Sequence, residues 1–330
     1  MNTKAAILHQ MELERPYSVS NPLKIEDVTL DDPGFNEVVV KIKAAGLCHS
    51  DLSVIDGNRP RPLPMALGHE ASGVVVELGE GVDKLSVGDH VVFAFLPSCG
   101  SCRYCNTGRA ALCEPGAEAN SKGTLLGGHK RIHNEGNYYH HHLGVSGFAE
   151  FAVVSVDSLF KIDQEIPFEI AALFGCAIMT GVGAVVNTAQ LKFGESILIV
   201  GLGGVGLSAI LGAKAAGASN IIAADLNPQK RAIGKKLGAH YTIDSSKKNA
   251  LQFLKDLSGG GVDVALEFAG AISALEFAFH ATKRGGTTVT AALPHPDAKL
   301  EISPVTLVGQ EKSLKGSYLG SCIPSRDIPA

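Results

Sequence analysis

Seven cysteines and a few histidines carry most of the chemistry that this sequence can perform. Four of them, Cys99, Cys102, Cys105 and Cys113, follow one another with two, two and seven residues between them. Thiolates at that spacing match the tetrahedral all-sulfur sites that enclose one Zn²⁺ at about 2.3 Å per ligand. Four protein ligands leave no position for a substrate, so the expectation is a structural zinc that braces a loop, with the reaction placed elsewhere. Three more candidates stand outside that cluster: Cys48 in Gly46-Leu47-Cys48-His49-Ser50-Asp51, His69 in Gly68-His69-Glu70, and Cys176 in Phe174-Gly175-Cys176-Ala177. Two thiolates and one imidazole with a free fourth position make the Cys₂His set of a catalytic zinc. Spacing alone does not join Cys176 to the other two, and buried cysteines and core histidines are common. The consecutive His140, His141 and His142 read as surface or pocket-lining residues, because neighbours in sequence rarely converge on one ion without a turn.

A second chemistry is written at Gly201-Leu202-Gly203-Gly204-Val205-Gly206, a G-x-G-x-x-G run that follows an apolar strand and opens a helix. Gly201 permits the tight turn, Gly203 lets a pyrophosphate approach the backbone, and Gly206 permits close packing behind the helix start, whose N-terminus favours phosphate charge. Asp225 ends the next strand, where an acid accepts hydrogen bonds from ribose hydroxyls and repels a 2′-phosphate, which favours NAD over NADP. Lys230, one turn into the following helix, reads equally as a ribose contact and as a solvated cation.

The elements that must position these groups fall into two halves. In the first, Glu37 to Lys43, Gly73 to Leu78, Asp89 to Phe95 and Phe148 to Val156 are β-branched, aromatic-rich runs bounded by turn formers, which predicts a compact β-rich domain. The stretch from Glu114 to Gly147 has little periodicity and reads as loop. From Ser196 the pattern becomes strand, helix, strand, helix: strands at Ser196 to Val200, Asn220 to Ala224, Val262 to Phe268 and Gly286 to Ala292, with helices running to Ala216, from Pro228 to Leu237 and from Ile272 to Thr282. That alternation predicts an α/β domain with a doubly wound parallel sheet.

A length of 330 residues implies two domains. Lys+Arg 29 against Asp+Glu 33, net −4, offers no electrostatic footprint for nucleic acid or an anionic membrane. The opening residues lack the hydrophobic region of a signal peptide, and no run reaches the roughly 18 apolar residues that would span a bilayer. A cytoplasmic protein with reduced thiols follows.

These motifs, taken in order, resemble the zinc-dependent alcohol dehydrogenase branch of the medium-chain dehydrogenase/reductase superfamily: Cys48-His49-Ser50-Asp51, Gly68-His69-Glu70, the four-cysteine lobe, Cys176 with Thr180, the glycine fingerprint and Asp225. The resemblance implies a GroES-like catalytic domain over 1–177, a Rossmann coenzyme domain over 178–320, and in 321–330 the start of a truncated return segment. It implies a catalytic zinc on Cys48, His69 and Cys176 with Glu70 as a transient ligand, and a structural zinc on Cys99, Cys102, Cys105 and Cys113. By the same resemblance Asp51 orients His69, while His49 contacts the pyrophosphate of NAD and Thr180 belongs to the cofactor site. Ser50 takes the alcohol proton, and Ser53 stands where relatives carry a histidine that extends the relay. Arg59, Phe95 and Leu293 are expected around the substrate.

The implied activity is hydride transfer between a primary or secondary alcohol, aromatic ones included, and NAD. Oxidation of the glutathione adduct of formaldehyde is the runner-up, disfavoured by Arg59 and by the lack of an arginine near Ala117. A catalytically silent NAD-binding protein is the third reading. The expected partners are a small alcohol or aldehyde and further copies of the chain, as a homodimer or homotetramer paired along Glu301 to Leu319 with Leu314, Tyr318 and Leu319 as apolar contacts.

Overall fold

The computed structural model describes residues 1–330, which divide into one unit of Met1–Cys176 with Ile323–Ala330 and a second of Ala177–Cys322. The expected boundaries were 1–177, 178–320 and 321–330; the first lies one residue late, and the return to the first unit begins at Ile323 rather than at 321.

Ten strands build the first unit: β1 (Asn2–Leu8), β2 (Leu23–Leu30), β3 (Glu37–Gly46), β4 (Met65–Ala66), β5 (Glu70–Leu78), β6 (His90–Phe93), β7 (Ile132–Asn134), β8 (Asn137–His141), β9 (Phe151–Ser155) and β10 (Leu159–Lys161). A closed barrel runs β1-β2-β7-β8-β4, and a five-stranded sheet runs β10-β6-β5-β3-β9. Both enclose aliphatic side chains, among them Ile7, Val28, Leu30, Val39, Leu125 and Val153.

The stretch expected as loop, Glu114 to Gly147, holds a helix at Glu114–Lys122 and the hairpin β7–β8. Only Gly116, Ala119 and Asn120 of that helix are buried, so no apolar stripe announces it. Proline in its first turn and a left-handed Gly123 at its end delimit it instead.

The second unit is a six-stranded parallel sheet of β11 (Ser196–Val200), β12 (Asn220–Ala224), β13 (Tyr241–Ile243), β14 (Val262–Glu267), β15 (Thr282–Thr290) and β16 (Ser313–Gly316), in the order β13-β12-β11-β14-β15-β16. Helices Gly204–Ala215, Pro228–Leu237, Ala250–Ser258 and Ile272–Ala281 connect the strands. The central strands are near-continuous apolar runs because both faces are covered, with Ile197 and Ile199 in one core and Leu198 and Val200 in the other.

The helical run Phe168–Ala189 is, against expectation, long and apolar enough to cross a bilayer by length and composition. Its most apolar window is 56% buried within the protein, as in a core helix. Leu319, expected at a contact between copies, is buried inside its own unit at 2% exposure.

Candidate metal and nucleotide sites

Strand register brings the first two candidate metal ligands together. β3 and β5 run antiparallel with Gly46 opposite Glu70, so the residues just after Gly46 and just before Glu70 emerge at one end of the sheet. Cys48 sits there as the N-cap of helix His49–Ile55, and His69 follows the left-handed turn at Gly68. Any side chain at position 46 would collide with the Glu70 carboxylate, so glycine makes the room into which that acid extends. Cys176 arrives on a π-helical turn, Phe174–Ile178, in which Gly175 is pressed against the Phe93 carbonyl. Such turns are frequent at functional sites.

The donor atoms of Cys48, His69, Glu70 and Cys176 all lie within 4.8 Å of one another. Two sulfurs, an imidazole nitrogen and a carboxylate oxygen in that span suit zinc's ligand preferences. His69 Nδ1 donates to Asp51 Oδ1 at 2.9 Å, which leaves Nε2, 4.0 Å from Glu70 Oε1, as the nitrogen free to coordinate. Asp51 Oδ2 accepts the Cys48 N–H at 3.1 Å, so one carboxylate caps the ligand-bearing helix and holds the ligand ring.

The cluster's charges are tightly interlocked. A hydrogen bond from Cys176, with help from His69 and against burial, drives the Cys48 thiol down to about 3. Burial would lower His69, yet its hydrogen bonds to Asp51 and Cys48 carry it up to about 10. Cys176 is pushed well above the usual thiol range by its hydrogen bond to Cys48 and by burial. Burial, then the Cys48 thiolate, push Glu70 up to about 7. Asp51 lies well below the usual carboxylate range: burial opposes this, and hydrogen bonds from His142 and His69 outweigh it. The result is an electron-rich donor set able to exchange protons for a dication.

His142 is the functional neighbour that sequence reasoning missed. It is 1% exposed, its Nδ1 is 3.3 Å from Asp51 Oδ1, and its ring stands edge-on to His69 with centroids 5.5 Å apart. His141 is also buried, its Nε2 accepting the Arg131 N–H at 3.0 Å. The expectation of surface or pocket-lining histidines therefore fails for both; the strand and turn at this point face the core, and nothing in their spacing signals it. Phe95 borders the site, edge-on to His69 at 5.6 Å. Ser50 is half-buried in the first turn of its helix, His49 is exposed, and Arg59 lies half-buried beyond the helix end. The Ser53 hydroxyl donates to the His49 carbonyl at 3.0 Å, which occupies it structurally.

The four-cysteine lobe is formed as the spacing predicts, with the Sγ atoms of Cys99, Cys102, Cys105 and Cys113 mutually within 4.8 Å. Backbone N–H groups of Cys99 and Cys102 point at the Cys113 and Cys99 sulfurs, each at 3.3 Å. Backbone hydrogen bonding near Cys105 brings Cys102 down to about 6, whereas burial pushes Cys105 up to about 12. The four cysteines of the lobe form no disulfide, and four sulfurs this close without one fit a tetrahedral metal.

In the second unit the glycine loop joins β11 to helix Gly204–Ala215. Gly201 takes φ +90° beside the Ala269 backbone, and a side chain at Gly206 would collide with the Gly201 carbonyl. At Gly203 a side chain would point into open space, as a surface approached by a ligand requires. Asp225 accepts the Leu202 N–H through Oδ2 and the Asn227 N–H through Oδ1, both at 2.8 Å, fixing the acid beside the loop. Gly204 and Val205 form the first helical turn, against which Gly181, next to the buried Thr180, packs. Lys230 is exposed, with its backbone on the Asn227 cap. Sequence reasoning missed Arg231, whose guanidinium donates to the Asp225 and Leu226 carbonyls at 2.7 and 2.9 Å and shapes the turn after β12. Leu293 is 54% exposed in the segment after β15.

Two family models match the chain, the alcohol dehydrogenase GroES-like domain over residues 34–164 and the zinc-binding dehydrogenase over 204–330. The NDMA-dependent alcohol dehydrogenase of Amycolatopsis methanolica is 38% identical over 331 residues, covering 99% of this chain and 87% of that protein. The crystal structure of benzyl alcohol dehydrogenase from Acinetobacter calcoaceticus superposes with a TM-score of 0.92 at 32% identity, over 100% of this chain and 87% of that one. A zinc-binding dehydrogenase from Sinorhizobium meliloti bound to NADP gives 0.78 at 26% identity, over 96% and 84%.

Proposed function

The chain belongs to the zinc-dependent alcohol dehydrogenases, with their GroES-like and zinc-binding dehydrogenase domains, and from that premise we propose that it transfers hydride between a primary or secondary alcohol and NAD. It is an alcohol oxidoreductase; NAD as the nucleotide, two zincs per chain and aromatic alcohols as substrates are our reading. The observation that carries it is the Cys48–His69–Cys176 donor set with Glu70 beside it and the far nitrogen of His69 fixed by Asp51.

Zinc held by these residues would supply Lewis-acid polarisation of an alcohol or carbonyl oxygen, and NAD would accept the hydride. The side chains do the rest. Asp51 keeps the proton of His69 on Nδ1 and its ring in one orientation. Ser50, on the first turn beyond Cys48, takes the alcohol proton and passes it to solvent, since Ser53 is bound back to its own helix. Phe95 gives the substrate an aromatic wall against His69, which supports benzylic alcohols, and Arg59 follows that helix, its backbone N–H donating to the Ser53 carbonyl at 2.8 Å.

Asp225 at the glycine loop supports NAD: its carboxylate suits two ribose hydroxyls and repels a 2′-phosphate. The thiolate lobe suits a second, structural zinc. Two clusters of close thiols without a disulfide, Cys48 with Cys176 and the four-cysteine lobe, fit a reducing, cytosolic setting, and the exposed edge strand β16 supports pairing with a second copy. Arginine at position 59 does not favour the glutathione-adduct reading.

Metal content per chain followed by NADH formation with primary, secondary and benzylic alcohols, before and after chelation, tests the proposal. Two zincs and chelator-sensitive turnover are expected. Turnover that survives removal of both metals would remove the mechanism, and a preference for NADP would remove the role given to Asp225.

A further inference from the structure

The parallel sheet has a second edge that the nucleotide reading leaves unused. At the amino ends of β14, β15 and β16, opposite the edge that carries the glycine loop, lies a cavity of about 260 Å³ lined by Lys255, His280, Lys283, Arg284, Thr306 and Lys312 among others. No acidic side chain lines it. Lys283 is matched by Asp263, but none of the other cations has a carboxylate partner.

Lys312 is the anomaly. It is 8% exposed, and lysine is almost never buried unless an acid meets it. Its ammonium donates to the Phe279 carbonyl at 2.8 Å and lies 4.8 Å from the Phe279 ring centroid, which leaves donors over. Burial and the nearby Lys255 both depress its pKa, so the charge sits where the protein alone does not favour it. Arg284 spends one N–H on the Gly309 carbonyl at 3.1 Å and retains the rest of its fork. Lys255 and His280 close the last turns of helices Ala250–Ser258 and Ile272–Ala281, where a cation complements the helix dipole. That accounts for those two residues and for one of the Lys312 donors, and leaves the concentration of uncompensated charge around a single cavity unexplained.

We propose that this cavity binds a phosphate-class anion, held by Lys255, Arg284 and Lys312 with Thr306 and His280 beside it. The volume equals several waters at about 30 Å³ each, room for a phosphate group and part of the small molecule that bears it. Orthophosphate and a phosphorylated metabolite share the chemistry that these donors recognise.

The test is calorimetric titration of the full zinc-loaded chain, held saturated with dinucleotide so that phosphate cannot enter the glycine loop. Orthophosphate and glycerol 3-phosphate are injected at constant ionic strength, with chloride as the control. One saturable site per chain is expected for at least one phosphate, and Lys255→Met and Lys312→Met should each weaken it about tenfold or more, while alcohol turnover is unchanged. Tighter binding of glycerol 3-phosphate would identify a metabolite as the occupant, and tighter orthophosphate the free ion. Should Lys312→Met fail to fold, the more exposed Lys255→Met carries the test. Absence of saturable heat, an equal response to chloride, or binding untouched by the substitutions would overturn the proposal.

Discussion

Replacing Asp51 by asparagine removes one charge from a buried position while keeping the size of the side chain, and the geometry dictates the consequence. Asp51 is 3% exposed and takes two hydrogen bonds, Oδ2 from the Cys48 N–H at 3.1 Å and Oδ1 from His69 at 2.9 Å, with His142 Nδ1 3.3 Å from Oδ1. An asparagine cannot serve both. If its oxygen faces the histidines, its amide hydrogens meet the Cys48 N–H, donor against donor, and the cap of the ligand-bearing helix is lost. If it flips, the NH₂ group faces the imidazoles and forces the His69 proton onto Nε2, the nitrogen needed for metal. Either arrangement leaves a buried donor unsatisfied, at about 1–3 kcal/mol. Loss of such an orienting partner weakens metal binding roughly 10- to 100-fold, about 1.4–2.7 kcal/mol. Competition against a chromogenic chelator measures this directly, because the four-thiolate lobe in the same chain is an internal reference. One of two zinc equivalents should leave at about a tenth or less of the wild-type chelator concentration, the other unchanged. If both leave as in the wild type, Asp51 does not orient His69 for metal.

Three further outcomes follow from the same structure. Burial, and then the charges of His140, Arg131 and Lys130, hold His141 down at about 3. The unfolded chain, titrating near pH 6.5, therefore binds the extra proton first; stability is fully present above pH 6.5 and falls as pH drops toward 3, by about 2 kcal/mol at pH 5. Urea midpoints of wild type and His141→Gln should converge across that window, and parallel curves would refute the assignment. Gly206→Ala places a methyl group against the Gly201 carbonyl; dinucleotide affinity, read by fluorescence titration, should fall at least about tenfold with zinc content intact, and unchanged affinity would mean that the loop accommodates it. Ser50→Ala should slow alcohol oxidation about 10²-fold or more without loss of metal, and near-normal turnover would take Ser50 out of the proton path.

What the sequence disclosed depended on how local the determining contacts are. Strands Ser196–Val200 and Asn220–Ala224 and helix Pro228–Leu237 fall where the apolar runs and the Pro-start, Gly-stop punctuation put them, because each is delimited by its own residues. The four-cysteine lobe was legible for the same reason: its ligands lie within one short segment. Cys48 and His69 carry no such local signal. They meet because β3 and β5 pair with Gly46 opposite Glu70, a fact of register. Cys176 comes from a π-helical turn more distant still, and only resemblance joined it to the others. The helix Glu114–Lys122 escaped because its buried residues are a glycine, an alanine and an asparagine rather than an apolar stripe. His142 and Arg231 escaped because a histidine among histidines, or a lysine-like cation on a polar helix, looks the same whether it faces solvent or a carboxylate.

The position of His142 also explains how the first unit tolerates so much acidity in its interior. Cys48, Cys176, Asp51 and Glu70 are all wholly or largely shielded from water, and burying carboxylates and thiolates is costly unless each is matched. Burial and the neighbouring Cys48 push the Glu70 carboxyl up to about 7. Asp51 goes the other way: burial opposes ionisation, and His142 and His69 beside it hold it well below the usual carboxylate range. The second histidine, with Nδ1 3.3 Å from Oδ1 and equally buried, adds to the support that His69 gives this carboxylate. The His69 ring thus meets two rings edge-on, the polar His142 at 5.5 Å and the apolar Phe95 at 5.6 Å, while its Nδ1 is held by Asp51.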